Sequence, residues 1–571
     1  MGERSAVGAA TIAEAFRLTV ADHPDRIAVR TLHDEVAYTW AQLRDKVDAL
    51  AGGLHRLGVR RGDTIALMIS NRPEFMIADL AAMTLGATPF SIYLTSAPDQ
   101  VRYVIGDAEA KVAIVEEPFR PIVTGLVEHV LTVGDWPEDP GFDSEPHWRA
   151  VEGDDILTLI YTSGTTGPPK GVQIAHRNQM AAVNAVEQRV GFPDDSRVIS
   201  WLPSAHVAER TAHHYLPIVY AMTITTCPDP RQIGAYLPAV RPTWFFAVPR
   251  VWEKLKAGVE AKLGGDEQAT KLLAAGAQRV ELEQAGQPVP PELQQVLDVA
   301  EAKLFAPLRA ALGLDEAELV NVGAAPTPRE VLVFFHAIGV EVAELWGMSE
   351  TCGSGCCNPP GKVRIGTVGP PAPGVEIKLA DDGEVLMRSA VVMTGYRNLP
   401  ERTAEALDAD GWLHTGDIGE FDEEGYLRIV DRKKELIISA AGKNMSPANI
   451  EATLKASGAL IGNAVCIGDG RRYNTALIVL DSDFAPAWAA QHGLQDASLE
   501  VLARDEQVHA AVAQAVDAAN ARLARVEQIK RFTIVEGDWL PGGDELTPTM
   551  KLKRRPIAEK YGAAIEAMYA S

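Results

Sequence analysis

YTSGTTGPPKG, at residues 161–171, is a glycine- and hydroxyl-rich loop that directly follows the apolar run ILTLI at residues 156–160. The apolar run predicts a buried strand. Gly164 and Gly167 allow the chain behind it to turn tightly, so that backbone N–H groups can point at an anion. Further donors are the hydroxyls and the ammonium of Thr162, Ser163, Thr165, Thr166 and Lys170. The stretch therefore predicts a strand that leads into a phosphate-binding loop.

The loop is not the common G-x-x-x-x-G-K-[ST] nucleotide motif. Pro169 precedes Lys170 where that motif requires Gly, and Gly171 follows it where Ser or Thr is required. An isolated segment rich in Gly and Thr is equally consistent with an ordinary polar turn. Motifs elsewhere in the chain are needed to distinguish a phosphate-binding loop from an ordinary turn.

Composition limits the class of protein. A chain of 571 residues is too long for one core, so we expect two or more domains, with a large one dominating. A formal net charge of −23 argues against a nucleic-acid partner. Five cysteines, an odd number, do not suggest a disulfide framework and favour a reducing cytoplasm. No signal peptide or bilayer-length apolar run is recognisable, so any membrane contact is expected to be peripheral.

The order of the apolar segments predicts an α/β protein. Helical periodicity at 41–57 and 75–85 alternates with a strand-like run at 64–69, and apolar runs recur at 156–160, 218–225 and 244–248. This alternation predicts parallel sheets covered by helices. Residues 268–314 predict long helices, whereas residues 366–431 alternate in the short pattern of an antiparallel region. A mixed α/β tail of about 135 residues follows the charged run DRKKE at 431–435 and is long enough for a small domain.

Further segments, read in order, resemble the motifs of adenylate-forming enzymes, the superfamily of acyl-CoA synthetases, luciferases and peptide-synthetase adenylation domains. These segments are GAAP at 323–326, ELWGMSET at 344–351, GWLHTGD at 411–417, DRKKELI at 431–437, SAAGKNMSP at 439–447 and LTPTMKLKRR at 546–555. The resemblance covers nearly the whole chain. It favours the phosphate-binding interpretation of the loop at 161–171.

The resemblance implies an ATP site assembled from these motifs. The residues expected to bind ATP or AMP are Thr162, Ser163, Gly164, Thr165, Thr166, Lys170, Gly323, Ala324, Ala325, Trp346, Gly347, Ser349, Asp417 and Arg432. Asp417 suits the ribose because a carboxylate accepts hydrogen bonds from two vicinal hydroxyls. Glu350 and Thr162 are expected to hold Mg²⁺ with ATP, since Mg²⁺ prefers oxygen ligands. Trp346 stands where the superfamily more often has Tyr.

The resemblance also implies two domains that move relative to each other. Residues 1–431 would form a large N-terminal domain of parallel-sheet α/β subdomains with a small β-barrel-like region. Residues 432–571 would form a small, mobile α+β C-terminal domain with its hinge near Lys434. Lys551 would be the adenylation lysine, and the loop around Gly442 would approach the site for the reaction with CoA.

Other segments resemble long-chain fatty acyl-CoA synthetases in particular. These are LPSAHVAER at 202–210, RPTWFFAVPRVW at 241–252 and the PTMKLK form of the last motif. We therefore expect ATP, CoA and a medium- to long-chain fatty acid as substrates, with Glu350, Lys551 and His206 in the catalytic centre. His206 is placed there without a role in proton transfer. The alternatives are a fatty acyl-AMP ligase that uses a carrier protein and a nucleotide-binding pseudoenzyme. A monomer and a homodimer both remain open.

Overall fold

We describe the protein from a computed structural model, over residues 5–162, 168–438, 444–547 and 550–570. The strands, in chain order, are β1 (Ile27–Arg30), β2 (Ala37–Thr39), β3 (Thr64–Met68), β4 (Thr88–Ser91), β5 (Val112–Val115), β6 (His129–Thr132), β7 (Ile156–Thr162), β8 (Lys170–Ala175), β9 (Arg197–Ser200), β10 (Thr223–Thr226), β11 (Trp244–Ala247), β12 (Leu319–Val322), β13 (Val342–Trp346), β14 (Cys356–Cys357), β15 (Val375–Leu379), β16 (Glu384–Ser389), β17 (Gly395–Tyr396), β18 (Leu413–Phe421), β19 (Leu427–Arg432), β20 (Ile437–Ile438), β21 (Asn444–Met445), β22 (Ile461–Ile467), β23 (Asn474–Leu480) and β24 (Ile529–Val535).

The α-helices are α1 (Ile12–Asp22), α2 (Trp40–Arg56), α3 (Pro73–Thr84), α4 (Pro98–Ala108), α5 (Arg120–Val123), α6 (Glu145–Trp148), α7 (His176–Glu187), α8 (Val207–Glu209), α9 (Leu216–Val219), α10 (Ile233–Val240), α11 (Pro249–Leu263), α12 (Glu267–Gln284), α13 (Pro291–Ala300), α14 (Ala306–Leu312), α15 (Arg329–Ala337), α16 (Pro400–Ala406), α17 (Pro447–Ala456), α18 (Phe484–Gln491), α19 (Leu499–Leu502), α20 (Glu506–Asn520), α21 (Arg554–Lys560) and α22 (Gly562–Tyr569). π-Helical turns occupy Arg210–Tyr215 and Glu301–Phe305.

The first two thirds of the chain contain the predicted parallel sheets. Strands pair in parallel throughout the sheet β4-β3-β5-β6. The sheets β2-β1-β10-β9 and β11-β12-β13-β14 are parallel except for their antiparallel edge strands β2 and β14. Every residue of β3 is buried, as expected for a parallel strand that is covered on both faces. The α/β prediction is therefore confirmed.

The other sheets contain antiparallel strand pairs, and the last of them also contains one parallel pair, β23 with β24. The sheet β15-β16-β18-β19 is antiparallel and corresponds to the small β-barrel-like region predicted at 366–431. Strands β7 and β8 form a hairpin that β17 extends by one strand. The last segment folds around the sheet β22-β23-β24, which has its own hydrophobic core between the sheet and helices α17 and α20.

Two details differ from the sequence-based expectation. The apolar run at 218–225 is divided, because α9 ends at Val219 and β10 begins only at Thr223, with Ala221 in the left-handed region at φ 52° between them. The apolar face of α13 is only partly covered: Leu297 is buried but Val296 is 42% exposed. No helix in the described ranges is long and apolar enough to span a bilayer.

Candidate active site

The predicted phosphate-binding loop is flanked by paired residues of a hairpin. Thr162, the last residue of β7, lies opposite Lys170, the first residue of β8. Residues 163–167 lie outside the described residues, so the predictions for Ser163, Gly164, Thr165 and Thr166 stay predictions. The ammonium of Lys170 lies 4.0 Å from the centroid of the Tyr396 ring, and burial lowers its pKa.

Glu350 lies in a short turn directly after β13, together with Ser349. Its side chain is buried, and its Oε1 accepts a hydrogen bond of 2.8 Å from the Tyr396 hydroxyl. The turn before it requires glycine, because a Cβ on Gly347 would lie 2.2 Å from the carbonyl oxygen of Gly353. The close packing of this segment fixes where the carboxylate can be.

Asp417 is held by both of its predicted neighbours. Trp346 donates from Nε1 to Asp417 Oδ2 at 2.8 Å, and the guanidinium Nε of Arg432 lies 2.7 Å from Oδ1. Asp417 and Arg432 face each other across β18 and β19, which explains their proximity. Burial raises the pKa of the Asp417 carboxyl, while Arg432 and the hydrogen bond from Trp346 act in the opposite direction. The carboxylate predicted to bind the ribose is therefore oriented by protein contacts.

Parallel strand order brings the GAAP segment beside these residues. β12 and β13 are adjacent and parallel, so the segments that follow them leave the sheet at the same edge. Gly323 packs closely against Leu345, where a Cβ would lie 2.9 Å from a methyl carbon. Ala324 adopts the left-handed conformation at φ 72° and is exposed, as is Ala325. The structure thus places Gly323, Ala324 and Ala325 next to the segment of Trp346.

Lys551 reaches the same cleft from the C-terminal segment. Burial among the surrounding residues and the charge of Arg432 lower the pKa of its ammonium, while Asp417 and Glu350 act in the opposite direction. The residue nevertheless keeps an exposed surface. The backbone N–H of Lys551 donates to Thr547 Oγ1 at 3.0 Å, which supports the turn that carries it. The predicted catalytic lysine is therefore brought together with the nucleotide-site residues.

His206 lies close enough to this cleft for Lys551 to affect it. Burial, with a smaller contribution from the Lys551 charge, lowers the pKa of the His206 imidazole to about 4. Nδ1 accepts the backbone N–H of Ala208 at 3.1 Å and caps α8. The neutral ring therefore carries its proton on Nε2 and offers a hydrogen-bond donor. Trp244, from the other predicted acyl-site segment, is buried and donates to Asn321 Oδ1 at 3.0 Å.

A buried carboxylate near His206 was not predicted from the sequence. Glu209 accepts hydrogen bonds from Asn71, from Ser200 at 2.6 Å and from the backbone N–H of Leu202 at 3.0 Å, and it contacts His213 at 2.6 Å. These contacts fix the loop between β9 and α8, which carries His206. The only sequence signal is its place in the segment LPSAHVAER at 202–210, where it directly precedes Arg210.

The region of the predicted hinge is exposed. Lys434 points to solvent, and the preceding Lys433 forms ion pairs with Asp382 at 2.6 Å and Glu384 at 2.8 Å. Gly442 and its loop lie outside the described residues, so its role stays a prediction. The same holds for the boundary at residues 431 and 432, although Asp431 and Arg432 are the last two residues of β19.

Ion pairs connect the C-terminal segment to the body of the protein. Arg522 forms a bidentate pair with Glu330 of α15, at 2.6 and 2.9 Å. Further pairs join α11 to the segment after β23. We refer to the set as the interdomain ion pairs: Arg522 with Glu330, Arg250 with Asp481, and Lys254 with Asp483. They hold the C-terminal segment where Lys551 enters the cleft.

Comparison with known protein families identifies the family of this chain. Residues 16–397 match the family model described as AMP-binding enzyme, and residues 434–571 match the model of the AMP-binding enzyme C-terminal domain. The chain belongs to the AMP-binding enzyme family. It is 51% identical over 436 residues to the relative named "Putative fatty-acid--CoA ligase fadD11" of Mycobacterium tuberculosis H37Rv, with 75% of this chain and 76% of that relative covered. It is 34% identical to the long-chain-fatty-acid–CoA ligase FadD15 of the same organism, over 96% of this chain and 95% of the relative.

Solved structures of AMP-binding enzymes share the fold. A fatty acyl CoA synthetase of Mycobacterium tuberculosis is 24% identical, with a TM-score of 0.61, over 97% of this chain and 99% of that one. The o-succinylbenzoate coenzyme A synthetase of Bacillus subtilis, solved with AMP, is 22% identical, with a TM-score of 0.68, over 95% and 97% of the two chains. At these identities the likeness establishes the fold alone.

The residues around Glu350 fit the magnesium ion that members of this enzyme family use with ATP. Over the described ranges, no cluster of His, Cys, Asp and Glu side chains could hold a metal by itself. Mg²⁺ usually relies on one or two carboxylates together with substrate phosphates and water. Glu350, with one oxygen hydrogen-bonded by Tyr396, and the Thr162 hydroxyl would supply such an oxygen set. The five cysteines, all of them described, are free thiols.

Proposed function

We propose that this AMP-binding enzyme is an ATP-dependent fatty acid–CoA ligase. It would activate a medium- to long-chain fatty acid as acyl-AMP and transfer the acyl group to CoA. The observation that carries the proposal is the convergence of Lys551 with Asp417 and Glu350, in a chain 51% identical over 436 residues to a fatty-acid–CoA ligase. This is the arrangement that adenylation requires.

In the first half-reaction, a carboxylate oxygen of the fatty acid attacks the α-phosphorus of ATP in line. The new bond joins the acyl oxygen to phosphorus, and the bond to pyrophosphate breaks. Most of the acceleration would come from positioning and from neutralising the phosphate charge. We expect Lys170, Lys551 and the N–H groups of the predicted phosphate-binding loop to perform this task. Mg²⁺, held by Glu350 and Thr162, would supply further charge neutralisation.

The nucleoside would be held by the remaining predicted residues. Asp417 and Arg432 suit the ribose, since the carboxylate accepts and the guanidinium donates. Trp346, Gly323, Ala324 and Ala325 flank the same edge of the sheet and suit the adenine. His206 offers a neutral N–H donor toward the reacting carboxylate or the acyl group. None of these roles needs a covalent enzyme intermediate.

In the second half-reaction, the CoA thiol attacks the acyl carbonyl and AMP leaves. We infer that the C-terminal domain, residues 432–571, rotates about Lys434, withdraws Lys551 and brings the loop around Gly442 to the site. The interdomain ion pairs would have to break for this rotation. The pairs of Lys254 with Asp483 and of Arg522 with Glu330 are largely exposed, and such pairs contribute only about 0–1 kcal/mol each. Asp481 is buried in its pair with Arg250, so this pair opposes the movement more strongly.

Two other functions would use the same pocket. A fatty acyl-AMP ligase would pass the adenylate to a carrier protein, and a pseudoenzyme would only bind the nucleotide. The presence of Lys551, Glu350 and Asp417 in one cleft argues against the pseudoenzyme. We further propose a cytoplasmic location with possible peripheral membrane contact, which cell fractionation would test. The protein would be a monomer or a homodimer, which light scattering would distinguish.

A panel of acids tests the proposal. The purified protein is incubated with Mg·ATP and acids of increasing chain length, with and without CoA, while pyrophosphate, AMP and acyl-CoA are measured. We expect acyl-CoA and AMP in equal amounts, only with CoA present, and with fatty acids of medium or long chain. Acyl-AMP that accumulates and does not react with CoA would support the carrier-protein alternative. No pyrophosphate with any acid would contradict both enzymatic functions.

A further inference from the structure

Tyr396 links the two oppositely charged groups of the proposed phosphate site. Its hydroxyl donates to Glu350 Oε1 at 2.8 Å, and its ring lies 4.0 Å from the Lys170 ammonium. All three side chains come from different parts of the chain: the turn after β13, the start of β8, and β17. The sequence motifs do not include Tyr396.

The position of Tyr396 is closely determined by its backbone. Strand β17 pairs with β8, so that Tyr396 lies opposite Val172. Its N–H donates to Thr403 Oγ1 at 2.9 Å. The next residue, Arg397, donates its backbone N–H to the carbonyl oxygen of Gly171 at 2.8 Å. The tyrosine is therefore attached to the hairpin that carries the phosphate-binding loop.

The ring separates charges that would otherwise pair. Lys170 and Glu350 are close enough for the carboxylate to oppose the effect of burial on the lysine pKa. Glu350 Oε1 is occupied by the tyrosine hydroxyl, whereas no hydrogen bond reaches Oε2 from the residues that the structure describes. A direct ion pair between Lys170 and Glu350 would make the ammonium less available to the ATP phosphates and the carboxylate less available to Mg²⁺.

We propose that Tyr396 is a positioning residue that keeps Glu350 available to Mg²⁺ and Lys170 available to the ATP phosphates. The hydroxyl fixes the rotation of the carboxylate, and the ring face receives the ammonium through a cation–π contact. This inference rests on the proposed function. It adds a residue outside the motifs and assigns it to the metal-dependent part of nucleotide binding.

The test is the effect of Mg²⁺ on nucleotide affinity. The variant Tyr396→Phe keeps the ring and removes the hydroxyl, so Glu350 is free to turn toward Lys170. Calorimetry measures binding of α,β-methylene-ATP with saturating Mg²⁺ and with EDTA. For Tyr396→Phe we expect the gain in affinity on adding Mg²⁺ to fall about tenfold, as for a lost hydrogen bond to a charged group. Binding in EDTA should weaken as well, but by less, because a Glu350 carboxylate that turns toward Lys170 competes with the phosphates for the ammonium.

The chain offers a matched control. Tyr426 also donates its hydroxyl in a hydrogen bond, to the carbonyl oxygen of Lys362 at 3.1 Å, but outside this cleft. Tyr426→Phe should leave both affinities unchanged. In a Glu350→Gln background, Tyr396→Phe should alter the gain by less than about twofold, because residues that act as one unit are not additive.

The possible outcomes distinguish a failure of the inference about Tyr396 from a failure of the proposed function. An unchanged Mg²⁺ gain in Tyr396→Phe would overturn the inference, and so would an equal loss with Mg²⁺ and with EDTA, which indicates a structural role. A full tenfold effect in the Glu350→Gln background would also contradict it. If the unaltered protein shows no Mg²⁺ gain at all, the proposed function fails first.

Discussion

The two sides of the cleft are built differently. On the N-terminal side, Glu350 and Asp417 are buried, and each carboxylate is held by a hydrogen bond from an aromatic side chain at 2.8 Å. On the C-terminal side, Lys551 keeps solvent contact and its segment is attached through exposed ion pairs such as Arg522 with Glu330. The predicted binding groups are fixed by buried hydrogen bonds, whereas the predicted catalytic lysine lies on a segment that is attached partly through exposed ion pairs.

Energetic magnitudes support this contrast. A hydrogen bond to a charged group is worth about 1.5–3 kcal/mol, and leaving a buried carboxylate unsatisfied costs at least as much. A surface ion pair contributes about 0–1 kcal/mol. The exposed interdomain ion pairs therefore oppose withdrawal of the C-terminal side only weakly, and the main resistance is expected from the pair of Arg250 with the buried Asp481, while the predicted nucleotide site keeps its shape. Substitutions on the two sides should differ in what they abolish.

The largest effect is expected for Lys551→Ala. The ammonium would neutralise charge that develops on the phosphate, so acyl-CoA formation from ATP, fatty acid and CoA should fall about 100- to 1,000-fold. Steady-state acyl-CoA formation measures this loss. The control is Lys553→Ala, since Lys553 bonds the carbonyl oxygen of Gly543 at 2.7 Å within its own segment. Near-normal turnover in Lys551→Ala would count against its assignment.

Glu350→Gln should have the next largest effect. The amide keeps the shape of the side chain but removes the charge that suits Mg²⁺, so we expect pyrophosphate release to fall about 10- to 100-fold. A titration with Mg²⁺ should show a higher requirement for the metal. An undiminished rate at the Mg²⁺ level that suffices for the unaltered protein would refute the metal role.

Asp417 gives the N-terminal side a dependence on pH. Burial raises the pKa of this carboxyl above the usual value for aspartate, so it takes up a proton at a higher pH than an exposed aspartate does. Protonation removes acceptor capacity, and ATP affinity should therefore fall as the pH is lowered through that raised pKa. In Asp417→Asn, ATP should bind about tenfold more weakly, without this acid-side decrease. A pH series of ATP affinities checks the sign.

The smallest effect concerns the interdomain ion pairs. Arg522→Glu should slow adenylation about two- to threefold and favour the second half-reaction, because it weakens the contact that holds Lys551 in the cleft. The double variant with Glu330→Arg should restore the original ratio of the two rates. Arg329→Glu is the matched control, since it breaks an exposed pair with Glu281 inside the N-terminal region. An equal change in that control would exclude a specific effect.

The sequence predicted the strands and the order of the motifs better than it predicted which side chains contact each other. Apolar runs identified β3, β7 and β11, and the order of motifs placed Asp417 and Lys551 in one site. Tyr396 could not be found this way, because Glu350 and Lys170 lie far from it in the sequence and the contacts depend on the pairing of β17 with β8. Glu209 has nearby partners in Ser200, Leu202 and His213, but their spacing does not distinguish a buried carboxylate from an exposed one. The apolar run at 218–225 contains a helix end and a strand, which hydrophobicity alone does not separate because both are buried.

The most direct measurement supplies acyl-adenylate to Lys551→Ala. The variant is mixed with preformed fatty acyl-AMP and CoA, and acyl-CoA is followed in a single turnover beside the unaltered protein. We predict that the rate of thioester formation is close to that of the unaltered protein, although the same variant hardly forms acyl-AMP from ATP. An equal loss of both half-reactions would contradict the account, because Lys551 would then not be confined to the adenylation step.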